Sequence, residues 1–144
     1  MYDHTLTVFN YHAASDKWYL SVISGADLIA AEAKSNTANG INNTDAVNAI
    51  IHSTADKVIA TTAGSKSYTR PKAYAACNNP AKMITFNPEC DFIYDGEWAD
   101  LTPISDDDYD SGLYHSLNDK YDGVYLINSA TFYSLLPHFE IGAR

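Results

Sequence analysis

Along this chain, apolar and polar positions alternate in short runs, and turn residues separate the runs. His4–Tyr11 puts Leu6, Val8 and Asn10 on one face and Thr5, Thr7 and Phe9 on the other. That is the period of a strand, and the β-branched residues favour it. Ala13–Lys17 is a polar turn and Trp18–Ile23 a second aromatic and aliphatic strand, so the pair predicts a hairpin. Gly25 breaks the pattern. Ala26–Ala33 reads as an extended strand or a short helix. Its alanines and Glu32 favour helix on propensity, whereas its β-like surroundings favour strand, which is the expectation we adopt.

Ala46–Ser53 returns to strand, with Val47, Ala49 and Ile51 on one side, and Asp56–Thr62 reads as a short strand carrying Val58 and Ile59. Gly64–Lys66 reads as a turn. In Tyr68–Tyr74, Pro71 excludes a central strand and biases Arg70 to extended geometry. Asn78-Asn79-Pro80 is a further turn. Met83–Phe86 and Asp91–Tyr94 read as strands about a turn at Asn87-Pro88, and Asp95-Gly96 signals a tight turn. Tyr121–Asn128 and Ser134–Ile141 are the last two strands, with Asp122-Gly123 at the start of the first or forming a bulge in it.

Two segments depart from the strand pattern. Ser35–Asp45 is small and polar, with Ile41 its one core anchor, and predicts a long mobile loop. Ile104–Asn118 predicts the one helix. Ser105 stands at its N-cap with Asp108 three residues on, and Asp106 and Asp107 fall in the first turn, where the helix dipole favours negative charge. Gly112 keeps that helix short. The count is about seven or eight strands separated by closely spaced turns. The expected fold is therefore all-β: a small antiparallel β-barrel or sandwich, one domain over 1–144, with one short helix near 104–118 and a long loop near 35–45.

Composition agrees with a globular domain: hydrophobic residues make up 46%, charged residues 19%, and Tyr numbers 11. Tyr suits interfaces, because its ring is apolar and its hydroxyl is not. Nine basic and 18 acidic residues give a net charge of −9. That sign repels phosphate and argues against nucleic-acid binding, although an acidic wall suits a conduit that must not hold DNA. The first residues, Met1–Phe9, show no basic segment followed by an apolar run, and no stretch has the length of a membrane span. A cytoplasmic location with reduced thiols is the expectation.

Searches for chemistry find little. Asp106, Asp108 and Asp110 imitate the first ligands of a calcium loop, but the required glycine falls on Ser111 and the closing acid on Leu117. Cys77 and Cys90 match no zinc spacing, and His4, His12, His52, His115 and His138 form no ligand motif. In Pro137–Glu140, strand alternation puts His138 and Glu140 on one face and Phe139 and Ile141 on the other, which reads as an exposed polar pair. No nucleophile elbow and no phosphate loop occurs. Asp95 and Glu97 stand just before Trp98, a weak pattern for sugar stacking. The basic residues Lys57, Lys66, Arg70 and Lys72 read as solvated loop charges. No enzyme, no metal and no cofactor is expected.

The ordered features nevertheless resemble a known group. They run from the His4-Thr5 strand through Trp18-Tyr19, Gly25-Ala26-Asp27 and the strand Ala46–His52 to Tyr68-Thr69-Arg70-Pro71-Lys72-Ala73-Tyr74. Ile84-Thr85-Phe86, Asp91-Phe92-Ile93, Gly96-Glu97 and Tyr121–Ile127 follow, and Leu136-Pro137-His138-Phe139-Glu140-Ile141-Gly142 closes the series. This resembles the small minor capsid, or head-closure (stopper-like), connector proteins of tailed bacteriophages. The acidic stretch Asp100–Lys120 is longer than in the simplest members.

The resemblance implies a β-barrel virion protein of the neck, assembled in the host cytoplasm. It would form a homo-oligomeric ring between a portal or adaptor protein and a tail protein, without sequence-specific nucleic-acid binding and without a membrane. It implies that Ser35, Asn36, Thr37, Asn39, Gly40, Ile41, Asn42 and Asn43 form a channel-closing or docking loop. The last strand, with Pro137, His138, Phe139, Glu140 and Ile141, is expected to be an assembly edge. A carbohydrate-binding module, such as a tail receptor-binding domain, is the alternative, and it predicts Trp18 or Trp98 in a shallow groove.

Overall fold

The computed structural model describes residues 4–30 and 46–144. β1 (His4–His12) and β2 (Lys17–Ala30) form the expected hairpin, in one register from His12↔Lys17 to Leu6↔Ile23 and, past an irregularity, at His4↔Ala26. Gly25 does not end β2. Its φ of +73°, a conformation that costs glycine little, bends the strand. The first part of β2 pairs with β1, and Asp27–Ala30 pair with β3 (Val47–His52). One long strand thus serves two neighbours.

That bend allows closure. β7 (Phe92–Asp95) pairs with β1 and with β9 (Val124–Tyr133), β9 pairs with β10 (His138–Ala143), and β10 pairs with β3. The order β1-β7-β9-β10-β3-β2 returns to β1, a closed six-stranded antiparallel barrel. β8 (Ile104–Ser105) adds to the start of β2, opposite Lys17 and Trp18. A second sheet is made by β4 (Val58–Thr61), β5 (Gly64–Tyr68) and β6 (Met83–Ile84), in which β5 and β6 run parallel.

Two cores result. Leu6, Val8, Ile23, Ala49, Ile51, Ile127, Phe139 and Ile141 fill the barrel, and Ile59, Ile84 and Phe86 from the small sheet and its sequel pack into the same cluster. A second cluster lies on the other face of β1, where Phe9, Trp18, Leu20, Phe92 and Val124 meet Leu113 and Leu117 of α2 (Leu113–Lys120). Phe9 stacks on Phe92 with ring centroids 4.4 Å apart. Both faces of β1 are therefore buried, although its sequence alternates.

Several boundaries differ from expectation. The turn read at Gly64–Lys66 sits earlier, where Thr61 Oγ1 accepts the Ala63 N–H and donates to the Gly64 carbonyl, and Gly64 opens β5. Pro71 starts α1 (Pro71–Ala76), because its missing N–H costs nothing in a first helical turn, and Arg70 before it is extended as expected. The strand read at Met83–Phe86 is confined to Met83–Ile84, which pairs with β5. The helix expected at 104–118 begins at Leu113, preceded by β8 and a 3₁₀ turn at Asp106–Asp108. Gly112, at φ +88°, separates that turn from the helix.

Candidate functional site

The β9–β10 hairpin sets Phe132 opposite Phe139 and Tyr133 opposite His138. Phe139 points inward, with its ring centroid 4.8–5.1 Å from those of Tyr68, Phe86 and Phe132. Alternation then turns His138 and Glu140 outward. The strand read as Ser134–Ile141 begins only at His138, because Ser134–Pro137 is the turn. Leu136 has a φ of +55°, uncommon for a leucine. Two bonds hold the turn there: His138 Nδ1–H donates to the Leu136 carbonyl at 2.8 Å, and the Pro137 carbonyl accepts the Ser53 N–H at 3.3 Å.

A held turn with an apolar tip is the outcome. Leu135 and Leu136 are 85% and 82% exposed. The Tyr133 ring stacks on His138 with centroids 5.0 Å apart and an interplanar angle of 7°. His138 Nε2 lies 3.0 Å from Glu140 Oε2. The bond to the Leu136 carbonyl and then the Glu140 carboxylate favour the imidazolium and raise the His138 pKa. Beside the tip, a groove of about 530 Å³ follows the outer face of β3 and β10, lined by Ile50, His52, Leu136, Pro137, His138 and Glu140.

Pro137, His138, Phe139, Glu140 and Ile141 do not form a free edge. β10 is hydrogen-bonded along both sides, to β9 and to β3, because the barrel closes through it. Phe139 and Ile141 belong to the core, whereas Pro137, His138 and Glu140 line the outer groove. The expected loop residues Ser35, Asn36, Thr37, Asn39, Gly40, Ile41, Asn42 and Asn43 lie outside the described residues.

The acidic run serves the outer core. Asp106 Oδ1 accepts the Trp18 indole N–H at 2.8 Å and the Leu113 backbone N–H at 2.9 Å. Among the described residues, no group of three or more His, Cys, Asp or Glu side chains is placed to hold a metal. Trp18 is buried. Trp98 is half-buried, packs edge-on against Phe9, Tyr94 and Tyr121, and borders a shallow basin of about 320 Å³ with Asp100, Asp108 and Tyr109.

Two buried charge sites were invisible to motif reading. Asp91, fully buried, accepts the Tyr11 and Asn87 backbone N–H groups and the Asn10 amide, at 3.0, 3.1 and 2.9 Å. Burial pushes its pKa up to about 7 against those bonds, which pull it down. Lys66, read as a solvated loop charge, is buried, and its ammonium donates to the Leu20 carbonyl at 3.2 Å and to Ser21 Oγ at 2.7 Å. Desolvation lowers its pKa. Both groups tie elements together: Asp91 joins the loop before β7 to β1, and Lys66 joins the small sheet to β2. Burial also pushes the Cys90 thiol up to about 12, so it is a poor nucleophile at neutral pH. The exposed tip escaped notice because Leu135 and Leu136 read as strand interior, although Pro137 directly after them signals a turn.

The chain belongs to the family of unknown function DUF6751, whose model matches residues 1–144. No curated protein and no solved structure matches it.

Proposed function

We propose that this protein is a structural subunit of the tailed-phage neck, forming a ring that joins the portal or adaptor to the tail and helps close the DNA channel. The observation that carries the assembly part of this reading is the Leu135-Leu136 tip. Two leucines stand almost wholly in solvent on a turn that a histidine and a serine hold in place. Apolar surface presented on a held turn gains by burial against a partner, without the entropy cost of ordering a loose loop. The closed six-stranded barrel supports the neck part, since the resemblance in the sequence implies a β-barrel. A net charge of −9 suits a wall along which DNA slides.

The test is assembly with the products of the flanking genes. A portal or adaptor gene on one side and a tail gene on the other are expected, and the co-expressed proteins should form rings visible by electron microscopy. Leu135→Asp should prevent those rings while leaving the barrel folded. Flanking genes of another kind, or a chain that stays apart from portal-side and tail-side proteins, would sink the reading. Quenching of Trp98 fluorescence by soluble glycans would favour the carbohydrate-binding alternative, since Trp98 borders the shallow basin.

A further inference from the structure

We infer that the free chain pairs with a second copy of itself about a two-fold axis, each Leu135-Leu136 tip seated in the other copy's groove on β3 and β10. This goes beyond the neck reading and does not depend on it. The tip and the groove are complementary in kind: one is an exposed apolar projection, the other a concavity whose lining includes the apolar Ile50 and Pro137. They also share residues, because Leu136 belongs to the tip and lines the groove. Both therefore lie on one face of the barrel.

That adjacency allows a two-fold pair. A copy whose tip enters this groove turns its own tip-bearing face toward this chain, and in the two-fold orientation its groove then meets this tip. The arrangement closes on itself with two equivalent contacts, the mark of an isologous pair. Charge favours the same face. Two copies at −9 each repel over most of their surfaces. Among the described residues that line the groove the one carboxylate is Glu140, which is bonded to His138; the opposing pair on β3 is Ile50 and His52, and Asp27 of β2 is in register with Ile50. Asp106, Asp107, Asp108 and Asp110, in the segment before α2, do not line the groove. Tyr133, stacked on His138, supplies an aromatic rim.

Sedimentation equilibrium of the whole chain over a range of concentrations should give a monomer–dimer equilibrium. Leu135→Asp on the tip and Ile50→Arg in the groove should each weaken pairing by about 10- to 100-fold while leaving the circular dichroism spectrum unchanged. Mixing the two variants should restore a hetero-pair, because one unaltered tip then meets one unaltered groove. A single monomer mass at every concentration, a dimer indifferent to Leu135→Asp, or no recovery on mixing would overturn the inference. A monomer would leave the neck reading standing, since that reading is tested by assembly with portal-side and tail-side proteins.

Discussion

Trp18 and Asp106 are bonded across the outer core: the indole N–H donates to Oδ1 at 2.8 Å, and that same oxygen also accepts the Leu113 N–H at 2.9 Å. One carboxylate therefore fixes both the start of β2 and the start of α2. Asp106→Ala leaves a buried indole N–H and a helix N–H without their acceptor. The expected loss is about 2–4 kcal/mol in denaturant unfolding, with a shift in Trp emission. Asp108→Ala, at an exposed position of the same run, should leave stability unchanged. Equal effects of the two substitutions would show that Asp106 has no special place.

The same residues show how far the sequence could be read. Aspartates before an apolar stretch signal a helix start, and a helix does follow. The signal misplaces it, because Asp106 caps a helix seven residues further on through its side chain, a contact that local spacing does not announce. Gly112 looked like a weak point in a helix. It stands at φ +88°, a conformation that favours glycine, and a Cβ there would come 3.3 Å from Asp106 Oδ1. Alternation located β1 and β3 to within one residue at each end, since each has one face in the barrel core; it divided β2 at Gly25 and ended β9 at Asn128, short of Tyr133. It missed that β10 lies between two strands, because closure is a long-range pairing. It also read Lys66 as solvated, because nothing local shows that β5 lies against β2.

Phe139 provides a direct measure of that closure. It sits in β10 between β9 and β3, with its ring against Tyr68, Phe86 and Phe132. Phe139→Ala should cost about 3–5 kcal/mol by loss of transfer energy and by leaving a cavity. Removing Pro137–Arg144 should unfold the barrel, not merely block assembly, because it strips partners from both β9 and β3. A truncated chain with a native near-ultraviolet circular dichroism spectrum would contradict this.

Asp91 should give the fold an acid-side stability gain. Its pKa is 3.8 when unperturbed and about 7 in the folded chain. Between these values the folded state holds a proton that the unfolded state has released, so stability falls as pH rises from about 4 to about 7 and levels off above. His138, raised above 6.5, acts in the same direction: its contribution is full below the unfolded value and is lost as pH rises through the folded one. It is small, since Glu140 beside it is solvent-exposed. Urea midpoints across this range should therefore decline in the wild type and flatten in Asp91→Asn. A parallel decline in both proteins would assign the slope to other groups.

Lys66 should show the opposite slope on the alkaline side. Its ammonium is buried against the Leu20 carbonyl and Ser21 Oγ, and neither of these two partners is a carboxylate. Desolvation lowers its pKa from 10.5, so between the folded value and 10.5 the unfolded chain holds the proton that the folded chain gives up. Stability from this group therefore rises with pH across that window, and the cost of a buried charge is fully present below it. Lys66→Met keeps the unbranched stem that packs β5 against β2 and removes the titration. Measured against that variant, the wild type should gain relative stability as pH is raised from about 7 toward about 10. A constant difference between the two proteins over that range would mean that the ammonium is solvated in the folded chain and that the small sheet does not lie closed over it.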